Sequence, residues 1–185
     1  MNPGRGFRNL VIVLAALPSA SKRAVLREAW RIERALPGWF AAAPLPELMR
    51  QLDAETQPPI PLRERNALTR LADAAVGLDY GSPLGICLRR SLVRYVLLRR
   101  AGVAVAVQFG ARKAAAAGRS RIAGHAWLTV DGQPYAEPRE NYEGFAVIYT
   151  WPVAGSGHPE PGSHVAHSGQ IAGAGSALIG QEQAV

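Results

Sequence analysis

The stretch from Ser82 to Phe109, SPLGICLRRSLVRYVLLRRAGVAVAVQF, changes its hydrophobic period partway and so decides the fold class. Ser82-Pro83 reads as a cap followed by proline in the first turn of a helix. Leu84, Leu88, Leu92 and Tyr95 or Val96 then recur at helical spacing, which predicts a half-buried helix to about Arg100, with Gly102 just beyond it. From Val103 to Phe109 the sequence turns valine-rich, the signature of a buried strand. Downstream, residues 112–121 read as a basic loop, Ile122 to Val130 as a second strand and Asp131-Gly132 as a hairpin turn. Gln133 to Glu137 and Phe145 to Trp151 supply two more strands. Helices followed by an antiparallel meander define an α+β domain.

Upstream the pattern is helical. Val25, Leu26, Ala29, Trp30, Ile32 and Leu36 form an apolar stripe from a cap at Ser21 to a stop at Pro37-Gly38. A short helix is expected around Glu47 to Ala54. After the breaks at Pro58, Pro59 and Pro61, another runs from Leu62 to Gly77. Residues 1–20 are left unassigned: Arg5 and Arg8 before the apolar run Leu10–Leu17 imitate a signal peptide, but Pro18 spoils the cleavage site, so the expectation is a cytoplasmic protein. From Pro152 the chain becomes Gly-, Ser-, Ala- and Pro-rich, too poor in large apolar groups to offset chain ordering. Residues 152–185 are therefore expected to be a disordered tail with incidental histidines at 158, 164 and 167, and the domain to span 21–151.

The 185 residues include 48% hydrophobic and 19% charged residues, suited to one soluble core, and no apolar run reaches the roughly 20 residues of a membrane span. The net charge of +7 is unevenly placed. No acidic residue stands between Asp79 and Asp131, a window holding Arg89, Arg90, Arg94, Arg99, Arg100, Arg112, Lys113, Arg119 and Arg121. It reads either as a solvated flank or as a positive face for an acidic peptide, a partner protein or nucleic acid. The window lacks interleaved stacking aromatics, which argues against single-stranded nucleic acid.

Cys87 is the only cysteine, so it forms no internal disulfide. A lone cysteine is most often a packed hydrophobe. Its position in the opening turns of a helix changes that reading, because a helix N-terminus and a neighbouring imidazolium both favour the thiolate. His125 is the only histidine in the expected folded region. A third group that fixes the imidazole would complete a nucleophile, base and orienter. A three-residue Val130-Asp131-Gly132 loop would place His125 opposite Glu137, whereas a two-residue Asp131-Gly132 loop would place Ala126 there instead. Asp131 is the competing acid, at a position aspartate favours as a turn former. For the oxyanion, the Cys87 backbone N–H is the natural donor, with Gln108 or the Trp127 indole as second candidates.

The segments Cys87-Leu88-Arg89-Arg90-Ser91, Leu97 to Val103 and His125-Ala126-Trp127-Leu128-Thr129-Val130-Asp131-Gly132 resemble the lasso-peptide biosynthesis B2 proteins. These are leader peptidases related to the C-terminal domain of the microcin J25 processing protein, with a transglutaminase-like, papain-related fold. The resemblance covers roughly Arg27 to Trp151. It implies a cysteine peptidase with a Cys-His-Asp-type triad, Cys87 and His125 at matching positions and Glu137 where the family usually has aspartate. It also implies no cofactor or metal, a precursor peptide as substrate, a separate leader-binding B1 protein as partner, and transfer of the freed core to an ATP-dependent lasso cyclase. Arg99, Arg100 and Trp127 are then candidates for partner or substrate contact. The alternatives are transglutaminase- or amidase-type acyl transfer on the same residues, and a non-enzymatic basic binding module.

Overall fold

A computed structural model describes residues 3–53, 60–116 and 119–152. The expected tail from residue 153 and its histidines, Ala54, Pro58 and Pro59 lie outside the described residues. Helix α1 (Pro3–Ala16) occupies the segment left unassigned by the sequence pattern, with Val13 and Ala16 in the core. It is followed by α2 (Ala20–Ala42), α3 (Leu45–Leu52), α4 (Leu62–Gly77) and α5 (Ile86–Arg100). No helix among the described residues is long and apolar enough to cross a membrane.

Helix α2 corrects both expected boundaries. Its N-cap is Ser19, whose hydroxyl accepts from the Lys22 N–H at 3.4 Å, and it runs through Pro37. Proline removes one backbone hydrogen bond at a cost of about 3 kcal/mol. Burial of Leu36 and the packing of Trp39 and Phe40 on the core carry the helix past it.

Helix α5 also begins later than expected. Ser82 accepts from the Leu84 N–H at 3.4 Å, so its hydroxyl closes a local turn, and Gly85 becomes the N-cap without any side-chain bond. Cys87 is therefore the second helical residue. The helix is not half-buried but central, with every residue from Ser91 to Leu98 buried. It tolerates this because its buried arginines are neutralised: Arg89 (5% exposed) pairs with Glu33, and Arg94 (3%) with Asp73.

The sheet consists of β1 (Val105–Ala116), β2 (Arg119–Val130), β3 (Gln133–Tyr135) and β4 (Ala146–Trp151), in the order β3-β2-β1-β4 and antiparallel throughout. The first three strands form the expected meander. The fourth crosses, by way of the short helix α6 (Arg139–Tyr142), to pair with β1 at the opposite edge, so the sheet is not the simple meander expected. The expected basic loop at 112–121 is also corrected. The β1–β2 ladder continues to Ala116↔Arg119, beyond the reach of β4, and forms a two-stranded ribbon. Val105, Val107 and Phe109 on β1, with Ala126 and Leu128 on β2, are the sheet's buried contribution to the core. The Ser91 hydroxyl donates to the Ala126 carbonyl at 2.8 Å and fastens α5 to β2 beside His125.

Candidate active site

The β2–β3 hairpin turns on two residues, Asp131 (φ 51°) and Gly132 (φ 75°), with Val130↔Gln133, Thr129↔Pro134 and Leu128↔Tyr135 paired. Both positive φ values suit a tight hairpin turn, so Asp131 is a turn former here and the three-residue-loop register is overturned. Continued in register, the ladder would face Glu137 towards Ala126. It does not continue: β3 ends at Tyr135 and Ala136 adopts φ 51°. Arg94 Nη1 donates to the Ala136 carbonyl at 3.2 Å and holds that kink. Beyond it, Glu137 Oε1 lies 3.4 Å from His125 Nε2.

The Glu137 side chain is fully buried. It accepts from Arg90 Nη2 at 2.9 and 3.2 Å and from Asn141 Nδ2 at 2.7 Å. Arg90 stands one helical turn after Cys87, so the same stretch of α5 carries the thiol and grips the carboxylate. His125 Nε2 is buried and its approach to Glu137 falls short of an aligned hydrogen bond. Turning Nε2 to Glu137 leaves Nδ1 as the ring nitrogen for a proton from another group. The Cys87 thiol is half-buried and makes no hydrogen bond to His125. The structure thus sets Glu137 beside His125, and α5, which carries Cys87, contacts Glu137 through Arg90 and β2 through Ser91.

Aromatic rings wall His125. Trp127 stacks on it at 5.8 Å between centroids, Phe145 lies at 5.4 Å, and Tyr142 stacks on Trp127 at 6.0 Å. Trp127 is 3% exposed, so it supports the imidazole rather than offering a substrate contact surface. Gly110, paired with His125 across the ladder, makes room for the Trp127 ring and Phe145: a Cβ there would lie 2.8 Å from the Trp127 ring and 3.0 Å from Phe145 Cβ. Gln108 is half-buried in the central strand opposite Trp127, with no hydrogen bond to Cys87.

The arginines of α5, readable from the sequence as either a solvated flank or a positive face, are ion-paired, because a central helix needs its charges neutralised. Arg99 shares Asp53 with the Tyr95 hydroxyl, at 2.9 and 3.0 Å. Arg100 pairs with Glu28, whose carboxyl is pushed down to about 2 by its hydrogen bond to Arg31 and then by Arg100. Exposed cations remain on the ribbon at Lys113, Arg121 and Arg112, the last over the Phe145 ring at 4.4 Å. The Arg119 side chain is outside the described set. A cavity of about 910 Å³ lies beside α5, lined by Arg8, Asp79, Ile86, Arg90 and Asn141 among others, but by neither Cys87 nor His125.

Sequence reasoning missed Arg90, Asn141, Ala136 and Gly110. Arg90 had a usable signal in its spacing of three from Cys87 on one helix. The others depend on a backbone kink and a ring contact that no local pattern announces.

A thiol near the start of a central helix, an imidazole on the sheet packed against it and a buried carboxylate just beyond that sheet are the groups that cysteine-nucleophile chemistry uses. The transglutaminase-like superfamily model matches residues 34–150, and the chain belongs to that superfamily, whose members are generally cysteine-dependent enzymes and include cysteine-protease-like proteins. No curated protein and no solved structure matches the chain.

Proposed function

We propose that this protein is a cysteine peptidase that removes the leader from a lasso-peptide precursor. The carrying observation is the 3.4 Å approach of Glu137 to His125 on a sheet fastened to the Cys87 helix. The motif resemblance across Cys87–Val103 and His125–Gly132 supplies the substrate class. In this reading His125 Nδ1 takes the thiol proton, and sulfur attacks the scissile carbonyl carbon. The Cys87 backbone N–H, in the first helical turn and without an intrahelical acceptor, donates to the oxyanion, with Gln108 as candidate second donor. Collapse breaks the C–N bond, and the imidazolium gives its proton to the departing amine. Water then attacks the thioester, with His125 again as base, and releases the acid and the free thiol.

The proposed partners are the precursor, a leader-binding B1 protein and the ATP-dependent lasso cyclase that receives the core, with the cytoplasm as site of action. Mass spectrometry of precursor incubated with the full chain and the B1 protein should reveal leader and core, and Cys87→Ala should abolish both. Persistent cleavage by Cys87→Ala would falsify the proposal. The superfamily match also supports transglutaminase- or amidase-type acyl transfer, which product mass separates from leader release: a cross-link or a one-dalton deamidation instead of two peptides.

A further inference from the structure

The polar groups around Glu137 divide their work unequally. Arg94 of α5 is engaged by Asp73 of α4 and reaches Glu137 only at 4.0 Å, its Nη1 donating to the Ala136 carbonyl. Asn141 of α6 is neutral. Arg112 of β1 lies over the Phe145 ring at 4.4 Å rather than on Glu137. Arg90 alone brings a positive charge within hydrogen-bonding distance of the Glu137 carboxylate.

A buried carboxylate beside an imidazole stabilises the imidazolium, and too strong a hold leaves a base that cannot release its proton in each turnover. We propose that Arg90 is a positioning and charge-balancing residue: it fixes Glu137 against His125 Nε2 and offsets the carboxylate's pull on the imidazolium. This rests on the reading of Cys87 and His125 as nucleophile and base. Because Arg90 follows Cys87 by one turn of α5, a displacement of the nucleophile's helix also displaces the cation that tunes the base.

The test reads the site without any peptide substrate. In the full chain, the His125 ring is titrated by NMR, its signal assigned by loss in His125→Ala, alongside the pH profile of Cys87 alkylation by iodoacetamide, a single-site reaction because the chain has one cysteine. Arg90→Gln keeps a hydrogen-bond donor for Glu137 and removes the charge. It should raise the His125 titration midpoint by about one pH unit, roughly tenfold in proton affinity, and shift the alkylation profile with it. Arg90→Lys should restore the wild-type midpoint. An unshifted midpoint in folded Arg90→Gln, or a midpoint in Arg90→Lys raised as far as in Arg90→Gln, overturns the proposal. Should Arg90→Gln not fold, Arg90→Lys against Arg90→Met decides: equal midpoints overturn it, and a raised midpoint in Met alone supports it. Leader cleavage takes no part in this readout, so its absence would remove the peptidase reading and leave the charge balance standing.

Discussion

Glu137 reaches His125, at 3.4 Å, by leaving the β ladder rather than by following it. The pairing of Leu128 with Tyr135 would carry Glu137 to Ala126 two residues on, and the positive φ of Ala136 redirects the chain at that point. A non-glycine residue there stores conformational strain of about 1 kcal/mol, held by Arg94 on the Ala136 carbonyl.

Position 136 should therefore discriminate sharply among side chains. Ala136→Gly is expected to keep Cys87 alkylation and stability within about 1 kcal/mol of wild type, whereas Ala136→Val should lose roughly 1–3 kcal/mol because a β-branched residue is excluded from this region. The alkylation profile of the valine variant should converge on that of His125→Ala. Urea unfolding and alkylation of the two variants check this, and equal behaviour would show that the kink does not position Glu137.

The length of the acidic side chain is fitted to this backbone. Glu137→Asp shortens the reach by one methylene, about 1.5 Å, and so opens the 3.4 Å contact with His125 and the 2.7 Å bond from Asn141. Loss of an orienting partner of this kind costs on the order of 10- to 100-fold. Cleavage or alkylation near neutral pH should drop by that factor although the charge is kept; undiminished rates would mean that the carboxylate acts at longer range.

Gly110 should be as sensitive as a residue in the site. The added Cβ of Gly110→Ala meets the Trp127 ring at 2.8 Å, and that ring is stacked between His125 and Tyr142. Overpacking of this kind costs about 1–3 kcal/mol. Thermal unfolding should register the loss, and the His125 ring signal should shift with Trp127; a wild-type spectrum would mean that the wall yields elsewhere.

These contacts mark what the sequence could and could not reveal. The α+β class was legible because the period changes between Arg100 and Val103, and because α4 was bounded by Pro61 and Gly77. Cys87 and His125 stood out as the only residues of their kind in the expected domain. The end of α2 was not legible, because the stop signal of Pro37-Gly38 was outweighed by tertiary packing around Leu36. The basic window misled for a related reason: Arg89, Arg94 and Arg99 find acids on α2, on α4 and just past α3, 56, 21 and 46 residues away in the chain. Local pattern cannot distinguish a solvated arginine from one paired at that separation. The family match reinforces the fold, while the path from β3 to Glu137 depends on one dihedral angle.

The buried Glu33–Arg89 pair carries a prediction about pH and stability. Burial, 1% exposed, pushes the Glu33 carboxyl up to about 7 from an ordinary 4.5; Asp79 adds to the rise, while Arg89 and Arg34 pull against it. A folded-state value above the unfolded one means that the folded protein binds more protons between those two pH values. Glu33 therefore contributes stability that is fully present below about 4.5 and lost as pH rises through about 7. Over that window the loss is on the order of 2–3 kcal/mol. Glu33→Gln removes the titration and is the neutral isostere of the protonated carboxyl, so it should match wild type at pH 5, where Glu33 is protonated in the folded protein. Wild type should fall below the variant as pH rises from 5 to 8, because only wild type loses the Glu33 contribution. Urea unfolding of both proteins across this range gives the answer, and parallel stability curves would mean that Arg89 holds Glu33 ionised throughout.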